Sequence, residues 1–297
     1  MRIRNGSTSV VRLLAVGLLA VATLGFVGCS SDSDNESAST TSTPSTESTE
    51  APAEPLKILV SNDDGYNAPG INALVNALTA LPDVEVVVSA PATQQSGKGS
   101  NVTEGELTAT EEKTLDGYPA FAVQGTPADS VNWALDGGVD MKPDLVITGI
   151  NSGQNLGKIA DEISGTVGAA RAATARGIPA LATSLGSDST TDINEVTNVK
   201  AFDTAAGFVV DWVKEHREGI LDGTYSGDSP LLENLNVPMC TAGELRGVAQ
   251  VELAQTSDRA LDPQDCTSTV AQPSDDITAF INGFVTISSA PLVQVGG

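Results

Sequence analysis

The chain has 297 residues, 40% of them hydrophobic, which is enough for one large domain or two small ones. Its 38 acidic and 15 basic residues give a formal net charge of −23, which argues against nucleic acid or an anionic membrane surface as the main partner. The only histidine, His216, excludes a histidine-rich metal site, and a Ser-His-Asp triad would have to use that one residue.

The first 55 residues predict an export signal followed by a tether. Residues 1–29 start with three arginines and no acid, continue with an apolar run that is short for a membrane span, and end at Gly28-Cys29, which resembles a bacterial lipobox. This pattern predicts a lipid on Cys29 that anchors an exported protein to the outer face of the bacterial cell membrane. The alternative is an ordinary cleaved signal with an incidental cysteine. Residues 30–55, rich in Ser, Thr, Glu, Asp, Pro and Ala, predict a disordered tether.

A folded domain is predicted over residues 56–297, and it begins with a strand, an acidic turn and a helix. The apolar run 58–60 is typical of a buried parallel strand, and it stops at Asn62-Asp63-Asp64-Gly65. Ligands of open α/β sheets bind at the carboxyl ends of the strands. Adjacent carboxylates repel each other unless a cation lies between them, and their oxygens suit Mg²⁺, Mn²⁺ or Ca²⁺. The alternative is an Asx-rich turn with solvated charges.

Polar loops also follow later predicted elements. Strand 83–90 precedes a loop that contains Ser96, and strand 144–150 precedes a loop with Asn151 and Asn155. Such Gly- and Asn-rich loops let amides approach an anion. Ser164-Gly165-Thr166 predicts a helix start, which is a ready phosphate site. A plain surface loop and an ordinary helix cap are the alternatives.

The second half of the chain adds further strands, a helix and a cysteine pair. Strands are predicted at 179–185, 235–237 and 248–253, with a β-like stretch near 284–287, and an amphipathic helix is predicted at 202–217. His216 near the end of that helix is predicted to be solvated and to have no catalytic role. In an exported protein, the isolated pair Cys240 and Cys266 predicts a disulfide, and two buried thiols are the alternative.

Six short motifs follow one another in a fixed order along residues 56–292. They occupy residues 61–65 with 68–71, 90–91 with 95–97, 125–129, 149–153 with 155–157, 164–167, and Asp276 with 283–287. Together they resemble the SurE family, the survival-protein nucleotidases. The resemblance implies an α/β fold, a Rossmann-like three-layer α/β/α sandwich with a small C-terminal β-rich extension that is used in oligomers, with a homodimer as one possible assembly.

The resemblance also implies a chemistry, which is metal-dependent hydrolysis of nucleoside 5′- and 3′-monophosphates. Its metal ligands would be Asp63, Asp64, Ser96 and Asn151, around Mg²⁺ or Mn²⁺. Asp63 or Asp64 would orient or deprotonate the attacking water, and the substrate would be held by Asn62, Asn155, Ser164, Gly165 and Thr166. The partner is then a small nucleotide or another phosphomonoester, not nucleic acid. A lipid-anchored protein that binds nucleotide or phosphate without turnover is the alternative function.

One segment departs from the family pattern. Family members often have an acidic pair and a tyrosine just before the Ser-Gly-Thr motif, whereas residues 158–163 replace them here and Ile163 stands at the tyrosine position. The change puts substrate contacts in this segment in question, but not the metal ligands.

Overall fold

The computed structural model describes residues 54–187, 199–240 and 242–290, without the side chains of residues 159–161. The predicted signal, Cys29 and nearly all of the tether lie outside these residues. The described residues belong to one unit, Ala51–Gly297. Among them, no helix has both the length and the apolar character needed to cross a membrane.

The described residues form a mixed sheet of nine strands in the order β3-β4-β2-β1-β5-β6-β7-β9-β8. Most neighbours are parallel, and only the β3–β4 and β7–β9 pairs are antiparallel. The strands are β1 (Leu56–Ser61), β2 (Val84–Pro91), β3 (Ala109–Lys113), β4 (Pro119–Val123), β5 (Leu145–Ser152), β6 (Ala180–Leu185), β7 (Leu232–Val237), β8 (Val248–Gln250) and β9 (Val285–Ser289).

Helices cover both faces of this sheet. They are α1 (Pro69–Thr79), α2 (Pro127–Trp133), α3 (Gly157–Ile163), α4 (Gly165–Thr174), α5 (Val199–Leu221) and α6 (Asp276–Ile281), and a π-helical turn (Ala134–Gly138) follows α2. Apolar side chains of α1 and α5 pack on one face of the sheet, and those of α2 and α4 pack on the other. This arrangement is the predicted three-layer α/β/α sandwich.

Small residues let α4 lie close to its neighbours. Ala169, Ala170 and Ala173 are fully buried against the sheet. A Cβ on Gly168 would lie 1.9 Å from the carbonyl oxygen of Gly99. The loop that contains Ser96 therefore packs directly on the first turns of α4.

The C-terminal strands complete the main sheet. The expected β-rich extension is present as β9, which pairs with β7, and β8, which pairs with β9 at the sheet edge. The strand predicted at 248–253 is shorter than expected, because only three residues find a partner at that edge. β3, α3 and α6 were not predicted, since their short or exposed segments carry little periodicity.

The environment predicted for His216 was wrong. α5 continues to Leu221, so His216 does not lie at the helix end. Its ring stacks on Trp212 with centroids 4.2 Å apart, its Nδ1–H donates to the carbonyl oxygen of Trp212 at 2.9 Å, and its side chain is only 12% exposed. His216 is therefore a largely buried side chain that packs on Trp212, and none of its contacts in the described part of the chain reaches the polar strand ends described next.

Candidate active site

The carboxyl ends of β1 and β5 bring the predicted acidic turn and the predicted asparagine loop together. The two strands are parallel neighbours, with Ser61 opposite Thr148. Beyond this pair, the backbone N–H of Ser152 donates to Oδ2 of Asp64 at 3.0 Å. Asn151 and Ser152 belong to β5 itself, because the register against β6 shifts between Thr148 and Asn151 and the strand then resumes.

The acidic turn is closed by Asn62. Its Nδ2 donates to the carbonyl oxygen of Gly65 at 2.9 Å, and its Oδ1 accepts from the N–H of Gly65 at 3.1 Å. Gly65 has φ 108°, a conformation that favours glycine. Asn62 is fully buried and shapes the turn, and its expected contact with the substrate stays a prediction.

Asp63 is almost completely buried and is held by hydrogen bonds. Its Oδ1 accepts from the Thr166 hydroxyl at 2.8 Å, and its exposed fraction is 3%. Its carbonyl oxygen accepts from the N–H of Gln95 at 2.7 Å, which brings Ser96 beside it. Burial raises the pKa of Asp63, while hydrogen bonds from Thr166 and Ser96 act in the opposite direction.

Asp64 is the more open of the two carboxylates. Burial, followed by the neighbouring charge of Asp63, raises the pKa of Asp64 to about 7. Within the described ranges, neither carboxylate forms a salt bridge with a lysine, arginine or histidine. The acidic pair therefore lacks a compensating cationic side chain there.

Asn155 and Thr166 are brought to the site, but their polar groups face protein atoms. The Asn155 Nδ2 donates to the hydroxyl of Ser184 at 2.9 Å and makes a longer contact of 3.4 Å with the Thr166 hydroxyl. The Thr166 hydroxyl in turn donates its only hydrogen to Asp63. In this arrangement the Thr166 hydroxyl holds Asp63 and the Asn155 amide nitrogen contacts Thr166, while the expected phosphate contacts of both residues stay predictions.

Ser164 and Gly165 form the first turn of α4 next to Asp63. The Ser164 hydroxyl accepts from the N–H of Val167 at 3.1 Å and caps the helix, and its own hydrogen can still be donated. A Cβ on Gly165 would lie 2.8 Å from the Cβ of Asp63 and 3.1 Å from Cγ of Pro127. Gly165 therefore makes room for Asp63 and has no polar side chain to offer a substrate.

The four expected metal ligands form an oxygen-rich group that fits a hard divalent cation. The Asn151 Nδ2 donates to the carbonyl oxygen of Gly153 at 2.6 Å, which leaves its Oδ1 for another contact. Ser96 lies beside Asp63 and also accepts from Gln94 at 2.6 Å. No cluster of three acidic, histidine or cysteine side chains occurs in the described part of the chain, so a cation here would rely on two carboxylates and two neutral oxygens. Those donors suit Mg²⁺ or Mn²⁺.

Asp276 supports residues 154–157, which are called the site loop below, and the sequence did not reveal this role. Its fully buried carboxylate accepts from the N–H groups of Gly157 at 2.7 Å, Ala254 at 2.8 Å and Ile277 at 2.9 Å. The sequence offered two signals, the place of Asp276 among the motifs of the family resemblance and an acid directly before an apolar run, which is also common at exposed helix starts. Neither signal indicated a contact with residue 157. Asp276 thus ties the end of the site loop to the C-terminal part of the chain.

The predicted disulfide joins Cys240 and Cys266, with Cα atoms 5.7 Å apart. The segment that it closes contacts the site loop: the side chain of Gln154 donates to Ala260 O at 2.7 Å, and the Ser257 hydroxyl donates to Leu156 O at 2.9 Å. The disulfide therefore closes a segment that supports residues 154–157.

Comparisons with known proteins agree with the motifs. The family model described as survival protein SurE matches residues 58–260. A protein named 5′-nucleotidase SurE from Moorella thermoacetica is 36% identical over 248 residues, 78% of this chain and 88% of its own. One of the same name from Nitrosomonas europaea is 39% identical over 201 residues, 67% of this chain and 72% of its own. Another, from Methanothermobacter thermautotrophicus, is 50% identical over 131 residues, 44% of this chain and about half (49%) of its own length.

A solved structure supports the same relationship. The crystal structure of the SurE protein from Aquifex aeolicus superimposes with a TM-score of 0.60 and 29% identity, and the match covers 80% of this chain and 95% of that one. The family model spans well over half of the chain, and it includes the acidic turn, the Ser96 loop, the end of β5 and the start of α4. The chain belongs to the SurE family.

Proposed function

We propose that this chain is a 5′-nucleotidase, a metal-dependent enzyme that hydrolyses phosphomonoesters of nucleosides at the 5′ and also the 3′ position. The observation that carries the proposal is the buried pair Asp63 and Asp64, held by Thr166 and Ser152 beside neutral oxygens and without a cationic side chain among the described residues. The relatives that share these motifs are named 5′-nucleotidases. Hydrolysis of nucleoside monophosphates accounts for both facts.

Asp63, Asp64, Ser96 and Asn151 would hold Mg²⁺ or Mn²⁺ in this proposal. A divalent cation at such a site supplies positive charge to the phosphoryl oxygens and lowers the pKa of water. Thr166 keeps Asp63 in one orientation, because its hydroxyl has a single hydrogen and donates it to Oδ1.

The remaining steps belong to side chains that face the substrate. Asp64 uses Oδ2 for the N–H of Ser152, so its Oδ1 accepts a hydrogen bond from the attacking water. Ser164 donates its hydroxyl hydrogen to a phosphoryl oxygen, and the positive end of α4 favours that anion. Water attacks phosphorus and the phosphorus–oxygen ester bond breaks. One proton of the water ends on the oxygen of the departing nucleoside, which leaves as an alcohol, and the other stays on the phosphate.

Phosphate release from AMP, other nucleoside monophosphates and p-nitrophenyl phosphate tests this proposal. We expect turnover with Mg²⁺ or Mn²⁺, loss in EDTA, and recovery when the cation is restored. Asp63→Asn should reduce kcat/KM by about 100-fold or more, while Asp203→Asn, an exposed carboxylate on α5, should match the wild type. Full activity in EDTA or in Asp63→Asn would contradict the mechanism.

The alternative is a binding protein without turnover, since a fold does not determine an activity. Calorimetry with a non-hydrolysable nucleotide analogue, in parallel with the phosphate assay, separates the two. Analogue binding that depends on Mn²⁺ without any phosphate release would favour the alternative. Turnover at rates typical of enzymes would exclude it.

We also propose that the protein is exported and anchored by a lipid on Cys29. The support is the sequence pattern of residues 1–29 alone. Radiolabelled palmitate should be incorporated into the wild type, which should sediment with membranes, and Cys29→Ala should lose the label. A full-length, unlabelled protein in the cytoplasm would overturn the proposal.

A further inference from the structure

Strand β7 carries two buried asparagines whose side chains form hydrogen bonds with the backbone of Asn155. The Asn236 Oδ1 accepts from the N–H of Asn155 at 2.8 Å, and its Nδ2 donates to the carbonyl oxygen of Asn155 at 3.1 Å. The Asn234 Nδ2 donates to the same carbonyl oxygen at 2.8 Å. Both polar groups of the Asn155 backbone are thus satisfied by β7 side chains, although Asn155 lies about 80 residues earlier in the chain.

If packing were the only requirement at these two positions, apolar side chains would meet it. Asn234 and Asn236 are fully buried, and they alternate along the strand with the buried Leu235 and Val237, while the buried Leu232 lies on their own face. The Asn234 Oδ1 has no hydrogen-bond partner among the described residues, and a buried polar atom without a partner destabilises the fold. A polar pair in this place points to a role other than stabilising the sheet.

These hydrogen bonds hold the Asn155 backbone in place and so set the direction of its side chain. Its amide nitrogen faces Ser184 at 2.9 Å and Thr166 at 3.4 Å. Because an amide nitrogen only donates, the Thr166 hydroxyl accepts on that side, and its single hydrogen is left for Asp63 at 2.8 Å. A chain of hydrogen bonds therefore runs from β7 through Asn155 and Thr166 to Asp63.

We propose that Asn236, assisted by Asn234, is a positioning residue that sets the orientation of Asp63 through Asn155 and Thr166. The inference rests on the proposed function, in which Asp63 is a ligand of the cation. Asn236 has the larger role because it makes two of the three contacts with the Asn155 backbone. Without it, the Asn155 N–H loses its partner, and the amide no longer has a fixed direction towards Thr166.

The test compares Asn236→Leu, which is close in size but apolar, with Thr183→Val. Thr183 is an equally buried residue of the neighbouring strand β6, and its hydroxyl has no partner, so Thr183→Val removes a buried hydroxyl without touching the hydrogen-bond chain. Mn²⁺ affinity is measured by calorimetry without substrate, followed by kcat and KM for AMP at saturating Mn²⁺ and by the melting temperature. Asn236→Ser provides a smaller polar replacement in case the leucine variant does not fold.

We expect folded Asn236→Leu to bind Mn²⁺ about tenfold more weakly and to lose about tenfold or more in kcat, with Thr183→Val unchanged in both. A merely structural role would lower the melting temperature and leave Mn²⁺ affinity and kcat of the folded variant at the wild-type level, and that result overturns the proposal. A wild type that binds Mn²⁺ but releases no phosphate contradicts the proposed function, while the affinity comparison still decides this one. A wild type that does not bind Mn²⁺ overturns both.

Discussion

Gly165 decides how closely Asp63 and the start of α4 approach each other. A Cβ at this position would lie 2.8 Å from Cβ and 2.9 Å from Oδ2 of Asp63, whereas real Cβ atoms do not approach that closely. The backbone there does not need glycine for its dihedral angles, because Gly165 is not among the residues with positive φ. Space for the carboxylate is the reason for glycine here.

Gly165→Ala should therefore displace Asp63 and lower phosphate release by about tenfold or more. Alanine favours a helix over glycine by about 1 kcal/mol, so this gain offsets part of the clash, and the activity should fall more clearly than the melting temperature. Phosphate release and thermal unfolding of the same preparation check both effects.

The matched control for that variant is Gly207→Ala in α5, an exposed helical glycine whose added Cβ would meet no atom within 4 Å. It should raise the free energy of unfolding by about 0.5 to 1 kcal/mol and leave phosphate release unchanged. Equal activity in Gly165→Ala and Gly207→Ala would show that Asp63 is not confined by α4.

A second prediction at the residue scale concerns the effect of the acidic pair on the stability of metal-free protein. Asp63 and Asp64 are adjacent and largely removed from solvent, so in metal-free protein their repulsion and desolvation oppose folding. Asp64→Asn keeps an oxygen for the N–H of Ser152 and removes one charge. In EDTA it should raise the free energy of unfolding by about 1 to 2 kcal/mol, measured by urea denaturation.

Added Mn²⁺ gives this prediction its control, because the cation should stabilise the wild type more than Asp64→Asn and so reduce or reverse the difference. Asp203→Asn should show neither effect. A metal-free Asp64→Asn protein that is less stable than the wild type would mean that the pair is not repulsive in the fold.

At the scale of elements, strand ends could be predicted and side-chain direction could not. An apolar run followed by an acidic turn predicted β1 and placed Asp63 and Asp64 at the ligand edge, because parallel strands present their carboxyl ends together. The same reasoning brought Ser96 and Asn151 to that edge. Yet the Asn155 amide nitrogen and the Thr166 hydroxyl bond to protein atoms, and the partners of Asn155 on β6 and β7 are distant in sequence.

The side chains of His216 and Asn62 also have partners that were not predicted from the sequence. The His216 prediction followed from local spacing, and the Asn62 prediction followed from the family resemblance. In the structure the His216 ring stacks on Trp212, and both groups of the Asn62 side-chain amide bond to Gly65. Asn234 and Asn236 were missed because two alternating asparagines in a short strand resemble an exposed face. The contacts of Asn234 and Asn236 with Asn155 depend on tertiary packing, which a single sequence does not record.

At the scale of elements, we predict the effect of reducing the Cys240–Cys266 disulfide. Its sequence separation is 26, for which chain entropy gives about 3 to 4 kcal/mol of stabilisation. Because the closed segment contacts residues 154–157, reduction should lower both the melting temperature and, near that temperature, phosphate release. Dithiothreitol titrations followed by thermal unfolding and activity measure the two effects.

The double variant Cys240→Ala/Cys266→Ala controls for other effects of the reductant. It should behave like reduced wild type and should not respond to dithiothreitol. If the wild type shows two free thiols by mass labelling under non-reducing conditions, or if the double variant is as stable as the oxidised wild type, the assigned role of the disulfide is wrong.

For the whole molecule, the net charge of −23 acts oppositely on the two species that the proposed reaction needs. A strongly negative protein attracts a divalent cation and repels a nucleotide dianion, and both effects extend over the Debye length. Removal of residues 1–28, which precede the proposed lipid-carrying Cys29, takes away three arginines and no acid, so processing would strengthen both. The cation site therefore has to compensate for a field that disfavours the substrate.

Monovalent salt should separate these two effects. Between about 0.01 M and 0.1 M salt the Debye length falls from about 30 Å to about 10 Å. Mn²⁺ affinity, measured by calorimetry, should then weaken severalfold, because screening removes an attraction. At saturating Mn²⁺, kcat/KM for AMP should rise about two- to fivefold over the same range, because screening removes a repulsion. The opposite signs exclude a general effect of salt on folding, which would move both quantities together. A fall in kcat/KM with salt would instead mean that local positive charge, from basic side chains or from the bound cation, outweighs the field of the whole molecule at the substrate site.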